Sequence, residues 1–484
     1  MTMLRSNYRV NRTTQFRVLS DDQVQDIHLA VLEVLERTGI RVHSEEALAV
    51  YKKAGAKVKG DRVWIPSYLV EEAVRRAPSR VTLCNRDGQR TVILEDHKVY
   101  YGTGSDCPSI RDSRTGEVRR FTKKDIEQAA LISDFLPNID FRMSLGLMSD
   151  VPTETYFRHQ YVAMLRNCRK PIVFTSADKV CLADIIDIAA ANSGGLDELQ
   201  KNPTLCLYAE PSSPLNHSKS AIEKFLLAAE NRVPTIYTPC PIAGATAPMT
   251  LAGALVVSVA DSLSGLVAAQ FHAPGAPFIM GGVLSTMDMA TTIYTYGSPE
   301  LSLLQTALAD ISHFYHLPMF GTAGCTDSKV FDEQAAAEAM MSIFAAALSG
   351  QNLVHDVGFL ENGLIGSFEL LVASDEYIGM AKHFVKGIEV NPDTLALEVI
   401  HKVGPGGNFV SEDHTDRHFR EVEWFPKLMD RQNLSNWEGS GSKPMRQRVN
   451  ERVKEILDTH TVEPLRDEVE KTIEKVFKKY GQRA

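Results

Sequence analysis

Short apolar runs and longer amphipathic stretches alternate along the middle of the chain, as they do where strands alternate with helices. Eight runs of strand length lie at 99–101, 143–148, 172–175, 204–209, 235–238, 278–281, 319–321 and 353–357. Segments with helical spacing follow them at 123–135, 154–167, 179–193, 217–230, 250–271, 299–315, 332–349 and 375–388. Eight such repeats predict an α/β fold, a (β/α)8 TIM barrel. The first strand is the weakest of the eight, so an open parallel sheet is the alternative.

Two segments flank the predicted barrel. Residues 1–97 predict an N-terminal α+β segment packed on the barrel, with helices that begin at Ser20 and Ser44. The barrel domain is expected to span residues 98–390. Residues 391–484 predict a C-terminal helical extension, and the mixed Lys, Arg and Glu of 445–480 predict a solvated helix face.

Composition narrows the class of protein. Of the 484 residues, 44% are apolar and 23% charged, which is ordinary for a globular protein. The 52 basic and 61 acidic residues give a net charge of −9, which argues against nucleic acid as a partner. The seven cysteines are scattered without CxxC spacing, so we expect no disulfide framework and no metal in this chain. The polar N-terminus lacks an apolar signal segment, which favours a cytoplasmic location.

Two long stretches without Asp, Glu, Lys or Arg raise the question of a membrane. They cover residues 233–260 and 262–287. Prolines and polar residues interrupt both, so neither offers the roughly 20 unbroken apolar residues that a membrane-spanning helix needs. We expect no membrane contact.

The densest polar group follows the predicted seventh strand, in MFGTAGCTDSKVFDEQ (319–334). Chemistry in a barrel is placed at the carboxyl ends of the strands, where this segment would lie. Other predicted strand ends also carry polar side chains, among them Asp106, Glu210, Cys240 and His355. The simpler interpretation is that Thr326, Asp327 and Ser328 only cap the following helix.

Aromatic residues near two strand ends suggest a cation site. Tyr294 and Tyr296 follow the sixth predicted strand, and Phe359 follows the eighth. Aromatic faces attract ammonium ions, quaternary ones included. The alternative is that each ring merely anchors its loop. The chain has no GxSxG elbow, no Walker A loop and no GxGxxG after a strand.

Four segments resemble the trimethylamine methyltransferase superfamily: 244–261, 273–300, 321–336 (GTAGCTDSKVFDEQAA) and 414–431 (HTDRHFREVEWFPKLMDR). The resemblance covers nearly the whole chain. Members are (β/α)8 barrels that pass a methyl group from a methylamine to the Co(I) of a separate corrinoid protein. The founding members contain pyrrolysine, and this chain has only standard residues. It therefore resembles the non-pyrrolysine branch, whose characterised members demethylate quaternary amines such as glycine betaine.

The resemblance implies a cytoplasmic methyltransferase that moves a methyl group from glycine betaine, giving dimethylglycine, to the Co(I) of a corrinoid protein or free cobalamin. The corrinoid would be supplied by a partner docking at the barrel mouth, and the chain would form a homo-oligomer. Proline betaine, carnitine, choline and trimethylamine remain alternative substrates. A betaine-binding protein without catalysis is the alternative of another class.

The same resemblance implies roles for strand-end residues. A trimethylammonium group would be lined by aromatic rings and carboxylates, for which the candidates are Tyr101, Asp106, Tyr294, Tyr296, Phe359 and Glu361. Donors to a substrate carboxylate would come from Thr326, Lys329, His355 or backbone amides at a helix start. Asp327, Lys329 and Glu361 are the expected positioning residues, and the position equivalent to pyrrolysine is expected near 321–329.

Overall fold

The computed structural model describes residues 15–483, and an eight-stranded parallel barrel forms its centre. The strands are Tyr100–Gly102, Ile139–Phe141, Ile172–Phe174, Leu205–Ala209, Thr235–Tyr237, Phe278–Gly281, Met319–Thr322 and Leu353–His355. The eighth strand pairs with the first, Leu353 opposite Tyr100. A bridge between Arg142 and Ile172 joins the second strand to the third. The barrel prediction is confirmed, and the open sheet is wrong.

Eight helices surround the strands. They are Lys123–Phe135, Tyr156–Asn167, Lys179–Ser193, Lys219–Glu230, Leu251–His272, Pro299–Phe314, Glu333–Ser349 and Phe368–Val385. Side-chain oxygens of Asp178, Ser218, Ser298, Asp332 and Ser367 accept amide hydrogens at the first turns of five of them. These caps fix where the helices begin, because each satisfies an amide that has no partner within the helix.

Two predicted elements are displaced. The second strand lies at Ile139–Phe141 rather than at 143–148, because the apolar run continues beyond the sheet and bonds the loop around Cys107. The closing helix begins at Phe368, not at 375. Its first turns are buried on most sides, so they lack the one-sided apolar spacing that marks a surface helix.

The barrel interior is closed at its amino-terminal end. Side chains that fill it include Tyr100, Phe141, Val173, Ile236 and Phe320. A hairpin of Val81–Cys84 and Arg90–Leu94 adds Leu83 and Val92 to the same apolar cluster, and the Cys84 amide bonds to Pro203, just before the fourth strand. Within the barrel, a ligand site is therefore expected at the carboxyl end of the strands.

The N-terminal elements pack against the outside of the barrel. They are Asp21–Glu33, which continues as Val34–Thr38, then Ile40–Val42, Glu45–Ala54, Lys57–Lys59, Arg62–Trp64 and Ser67–Arg76. Ser20 and Ser44 cap the first two helices, as predicted. Ile40–Val42 pairs in parallel with Asn216–His217, in the loop after the fourth barrel strand.

Helix Leu251–His272 lies beneath these N-terminal helices. Within the described part of the chain it is the only helix long and apolar enough to cross a membrane, and 72% of its most apolar window is buried. The burial explains its composition, because a helix enclosed by protein is apolar all round.

Short strands brace the loops at the carboxyl end. Ile242–Ala243, Ser285–Asp288 and Ile293–Tyr294 form one small sheet. A second sheet contains Ser109–Arg111, Val118–Arg120, Phe359–Leu360 and Ile365–Ser367. These sheets give the loops fixed backbone positions, and so they hold the residues that follow the barrel strands.

The C-terminal extension contains Leu397–Val403, Asp413–Val422, Leu434–Gly439, Met445–Thr459 and Asp467–Lys478. The short helix Leu196–Lys201 and the turn Glu361–Gly363 complete the helical elements. The last two helices of the extension do have a charged, solvated face, but their other face is buried through Val449, Val453, Ile473 and Phe477. The division into domains at 97/98 and 390/391 stays a prediction.

Candidate active site at the carboxyl end of the barrel

Three carboxylates face one another at the barrel mouth. Asp106, Glu210 and Asp356 follow the first, fourth and eighth strands. Asp356 is only 2% exposed, whereas Asp106 and Glu210 reach solvent. Surrounding protein nevertheless raises the pKa of all three, chiefly through burial, and Asp106 and Glu210 raise the pKa of Asp356 further. The three groups therefore line a recess that water can enter.

Four aromatic rings complete this recess. The ring centres of Tyr294 and Tyr296 are 5.2 Å apart, and those of Tyr296 and Phe359 are 6.5 Å apart, both edge to face. Tyr208 lies close enough to interact electrostatically with Glu210, Asp356 and Tyr296. We call the following set the acidic–aromatic cluster: Asp106, Tyr208, Glu210, Tyr294, Tyr296, Asp356 and Phe359.

Glu210 is held by two neighbours. The Tyr208 hydroxyl donates to Glu210 Oε2 at 3.1 Å, and the Cys240 thiol bonds to the same carboxylate. Burial raises the pKa of Tyr208 and of Cys240 well above their ordinary values. Both groups stay protonated at neutral pH, so Cys240 serves as a hydrogen-bond donor and not as a thiolate nucleophile.

His355 is neutral, and its single N–H bonds to a carbonyl oxygen of the neighbouring barrel strand. Its Nδ1 lies 2.8 Å from the carbonyl oxygen of Gly321, which can only accept, so Nδ1 carries the hydrogen. Burial lowers the pKa of His355 to about 3. Nε2 lies 3.3 Å from Asp356 Oδ1, and this nitrogen can accept a proton shared with the carboxyl group. No N–H of His355 is left for a substrate carboxylate.

The polar loop after the seventh strand is bonded to the following helix, to the loop after the eighth strand, to itself and to Tyr296. The buried Thr326 hydroxyl donates to Glu338, and the exposed Lys329 Nζ donates to the Asp327 carbonyl oxygen at 2.8 Å. Asp327 Oδ1 accepts the backbone N–H of Tyr296 at 2.7 Å. The following helix is capped by Asp332, so the simpler capping interpretation of Thr326 and Asp327 is wrong.

Two other predicted site residues lie away from the cluster. The Tyr101 ring is fully buried outside the barrel wall, where its hydroxyl donates to the Ile343 carbonyl oxygen. Successive side chains of a strand point to opposite faces of the sheet, so Tyr100, and not Tyr101, faces the barrel interior. Glu361 bonds through its backbone N–H to the Ser328 carbonyl oxygen, and thereby joins two mouth loops.

The structure brings in residues that the sequence interpretation did not select. Glu210 and Cys240 follow barrel strands, and Tyr208 lies two residues before Glu210 on the same strand face. Their positions at strand ends could therefore have predicted that they line the barrel mouth. Lys224 comes from helix Lys219–Glu230 and had no such signal. Its Nζ donates to the Ser176 carbonyl oxygen at 2.7 Å, and burial lowers the pKa of its amine while Glu210 and Asp106 oppose that shift.

A glycine permits the close packing of the cluster. A Cβ atom on Gly104 would lie 2.1 Å from Asp356 Oδ1 and 2.3 Å from the Phe359 ring. Asp106 and Asp356 themselves have φ angles of 77° and 74°, which residues with side chains rarely adopt. Such conformations concentrate at functional sites, where the surrounding structure maintains them.

Comparison with known proteins gives one family. The family model described as trimethylamine methyltransferase (MTTB) matches residues 2–482. The chain is 33% identical over 459 residues to trimethylamine methyltransferase MttB of Desulfitobacterium hafniense, covering 94% of this chain and 92% of that protein. It is 31% identical over 472 residues to a glycine betaine methyltransferase of D. hafniense strain Y51, covering 97% and 98%.

A solved structure supports the fold. The monomethylamine methyltransferase MtmB of Methanosarcina barkeri superimposes with a TM-score of 0.50 at 13% identity, over 98% of this chain and 96% of that one. At this identity the likeness concerns the fold alone.

Proposed function

The chain belongs to the trimethylamine methyltransferase family and is a methyltransferase, and we propose that its methyl donor is a quaternary amine. Glycine betaine, which would yield dimethylglycine, is the first candidate. The proposed acceptor is the Co(I) of a corrinoid carried by a partner protein or of free cobalamin.

The observation that carries this proposal is the acidic–aromatic cluster. Carboxylates and aromatic faces are the groups that attract an ammonium ion whose methyl groups prevent hydrogen bonding. Each aromatic contact contributes about 0.5–2 kcal/mol, depending on how well water is excluded. Four rings and three carboxylates in one recess thus suit a methylated cation better than a neutral or anionic ligand.

The proposed chemistry needs little beyond positioning. The Co(I) electron pair forms a bond to one methyl carbon, the C–N bond breaks, and its electron pair stays on nitrogen. The leaving amine is neutral, so no proton has to be supplied. Because positive charge on nitrogen declines during this step, the carboxylates favour the bound substrate more than the transition state. Their contribution is therefore orientation of the methyl carbon toward the acceptor.

Solvent access supports an external acceptor. Asp106 and Glu210 stay open to water although protein surrounds them. The recess is therefore reachable from outside, as docking of a corrinoid protein at the mouth would require. In this account the chain itself holds no permanent cofactor.

Glycine betaine also carries a carboxylate, which requires a hydrogen-bond donor or a cation from this chain. The predicted donors are engaged elsewhere: Thr326 with Glu338, Lys329 with the Asp327 carbonyl, and His355 with the Gly321 carbonyl. Lys224 interacts electrostatically with Glu210 and Asp106, and although its amine donates to the Ser176 carbonyl oxygen, two of its three N–H donors remain available. We assign the substrate carboxylate to Lys224.

A second candidate is a methylated amine without a carboxylate, such as choline or trimethylamine. The specific reason is charge: the cluster has three acidic side chains, and Lys224 interacts with only two of them, Asp106 and Glu210. Proline betaine and carnitine share the carboxylate of glycine betaine, and one or two pocket contacts decide among such substrates.

Calorimetric titration with matched ligands tests the proposal. Glycine betaine should bind, and its carbon analogue 3,3-dimethylbutanoate, in which an uncharged tert-butyl group replaces trimethylammonium and the carboxylate is kept, should not. Equal binding of the two would contradict a cation site. Choline binding more tightly than glycine betaine would favour the second candidate. Binding without methyl transfer to added Co(I) corrinoid would favour a betaine-binding protein.

We also propose that the chain forms a homo-oligomer through the C-terminal extension. Val410, Val422 and Leu434 of the extension are 68–82% exposed, and Ile388, just before it, is 86% exposed; soluble monomers rarely leave so many large apolar side chains uncovered. Light scattering coupled to size-exclusion chromatography would give the mass. A mass of about 54 kDa would contradict assembly.

The cytoplasm is the proposed location. All seven cysteines are free, and six of them are buried. Unpaired thiols are typical of proteins from reducing compartments.

A further inference from the structure

We propose that Asp393, His414 and His418 form a binding site for a divalent transition-metal ion, Zn²⁺ in the first place. The three residues lie in the C-terminal extension, outside the acidic–aromatic cluster. The proposal is independent of the methyl-transfer reaction, since it rests on a separate set of side chains.

Helix geometry brings the two imidazoles together. His414 and His418 are four residues apart in helix Asp413–Val422, so they lie on the same face. Their ring centres are 4.3 Å apart. His414 and His418 have HxxxH spacing in the sequence, and the expectation that the chain has neither CxxC nor HxxxH spacing overlooked this pair.

Asp393 supplies the third ligand from the segment before helix Leu397–Val403. His418 Nε2 lies 3.1 Å from Asp393 Oδ2, and His414 Nε2 lies 3.2 Å from the Asp393 carbonyl oxygen. One ligand atom from each residue lies within 4.8 Å of the other two. Tetrahedral zinc at its usual bond lengths places ligand atoms roughly 3.3 Å apart, so side-chain rotations suffice to close the site.

The ligand set indicates the metal. Two imidazoles and one carboxylate suit Zn²⁺, and they leave a fourth position for water. Within residues 15–483 this is the only group of three His, Cys, Asp or Glu residues with such spacing. Asp393 is 59% exposed, so hydrated metal can reach it.

The surrounding segment explains what a metal would do. Neither helix Leu397–Val403 nor helix Asp413–Val422 buries a residue. With no apolar core, the two helices depend on polar contacts such as the Lys402–Glu412 ion pair, and exposed ion pairs contribute little. A bound ion would link the segment before the first helix to the second, because metal binding adds to folding stability.

Metal-free protein, prepared with a chelator, should be titrated with Zn²⁺ by calorimetry. We expect one equivalent to bind with a Kd below about 1 μM. His414→Ala and His418→Ala should each weaken binding by about 100-fold or more, because a three-ligand site loses a ligand. His401→Ala is the control, since His401 lies in the last turn of the neighbouring helix and outside the Asp393, His414 and His418 group.

Hydrogen exchange provides a second readout. Zn²⁺ should slow amide exchange in residues 391–422 of the wild type and of His401→Ala, but not of His418→Ala. Absence of stoichiometric binding to the wild type would overturn the proposal and leave His418 and Asp393 as an ordinary surface pair. Unchanged Zn²⁺ affinity in both His414→Ala and His418→Ala would also overturn it, because the metal would then bind elsewhere.

Discussion

The carboxylate of Asp327 accepts the backbone N–H of Tyr296 at 2.7 Å, and this bond ties the loop after the seventh strand to the acidic–aromatic cluster. Burial raises the pKa of Asp327, and the backbone amides of Tyr296 and Gly297 counter that rise. The polar loop thus acts on the recess through the backbone that carries the Tyr296 ring. In this account Asp327 is a positioning residue.

Replacing Asp327 by Ala should release Tyr296. A hydrogen bond to a charged acceptor contributes about 1.5–3 kcal/mol, so we expect KM for the amine to rise by about tenfold or more. Steady-state kinetics would show a smaller effect for Asp327→Asn, which keeps an acceptor oxygen. Lys329→Ala is the control, because it removes an exposed amine beside Asp327 and leaves the bond between Asp327 and Tyr296 in place. Equal effects of Lys329→Ala and Asp327→Ala would argue against this role.

Glu210→Gln should weaken binding of the quaternary amine by about tenfold, since it removes one charge at nearly constant shape. Asp288→Asn is a matched control, because it removes a carboxylate from the neighbouring mouth loop outside the cluster. Titration of each variant with the substrate gives the comparison. Similar losses in both variants would point to the overall charge of the protein rather than to the cluster.

Substrate affinity should depend on pH. Burial raises the pKa values of Asp106, Glu210 and Asp356, so these groups take up protons at a higher pH than ordinary carboxyls. As the pH falls through the raised values, negative charge is lost and cation binding weakens. KM should therefore rise on acidification from pH 8 to pH 5.5. A KM that is constant over this range would contradict a role for ionised carboxylates.

Asp261 should make stability depend on pH in a defined direction. It is fully buried on helix Leu251–His272, accepts the Ser213 hydroxyl, and burial raises its pKa to about 7. A group whose pKa is raised by folding binds its proton more tightly in the native state. Its contribution to stability is complete below the unfolded pKa and is lost as the pH rises through about 7.

Asp261→Asn removes the proton-binding carboxyl group of Asp261. Urea unfolding at pH 5 and pH 8 should show a smaller decrease in the free energy of unfolding for the variant than for the wild type. The amide oxygen can still accept from Ser213, so the comparison isolates the proton. Parallel pH profiles for the two proteins would rule out this assignment.

Phe477 tests the attachment of the C-terminal helix. It is fully buried and packs with its ring centre 4.5 Å from that of His159. Phe477→Ala should lower the free energy of unfolding by about 3–5 kcal/mol, as for other buried phenylalanines. Lys478→Ala changes the exposed neighbour and should have little effect on the denaturation midpoint. A loss below about 1 kcal/mol for Phe477→Ala would show that the helix is not part of the cooperative core.

The barrel could be predicted because its strands are buried on both faces and read as short apolar runs. The ends of the strands could not be predicted as well, because an apolar run can continue beyond the sheet, as it does at 143–148. The caps at Ser20 and Ser44 followed from residue type, since their hydroxyls bond the first turn locally.

The candidate site was predicted only in part, because strand-end position does not give side-chain direction. Tyr296 and Phe359 do meet, and Asp106 interacts electrostatically with Asp356, whereas Tyr101 faces outward from its strand. Lys224 reaches the recess from a helix, and no local pattern marks such a contact. The bond between Asp327 and Tyr296 links residues 31 positions apart and depends on the tertiary fold.

The most direct test of the account is methyl transfer itself. The protein should be incubated with reduced cobalamin and, in separate reactions, with glycine betaine, proline betaine, carnitine, choline and trimethylamine, and methylcobalamin followed by absorbance. We expect methylcobalamin with at least one quaternary amine, at a rate that, with the amine below its KM, falls in Glu210→Gln but not in Asp288→Asn. No methylcobalamin above the protein-free rate with any quaternary amine, under conditions where the amine binds, would contradict it.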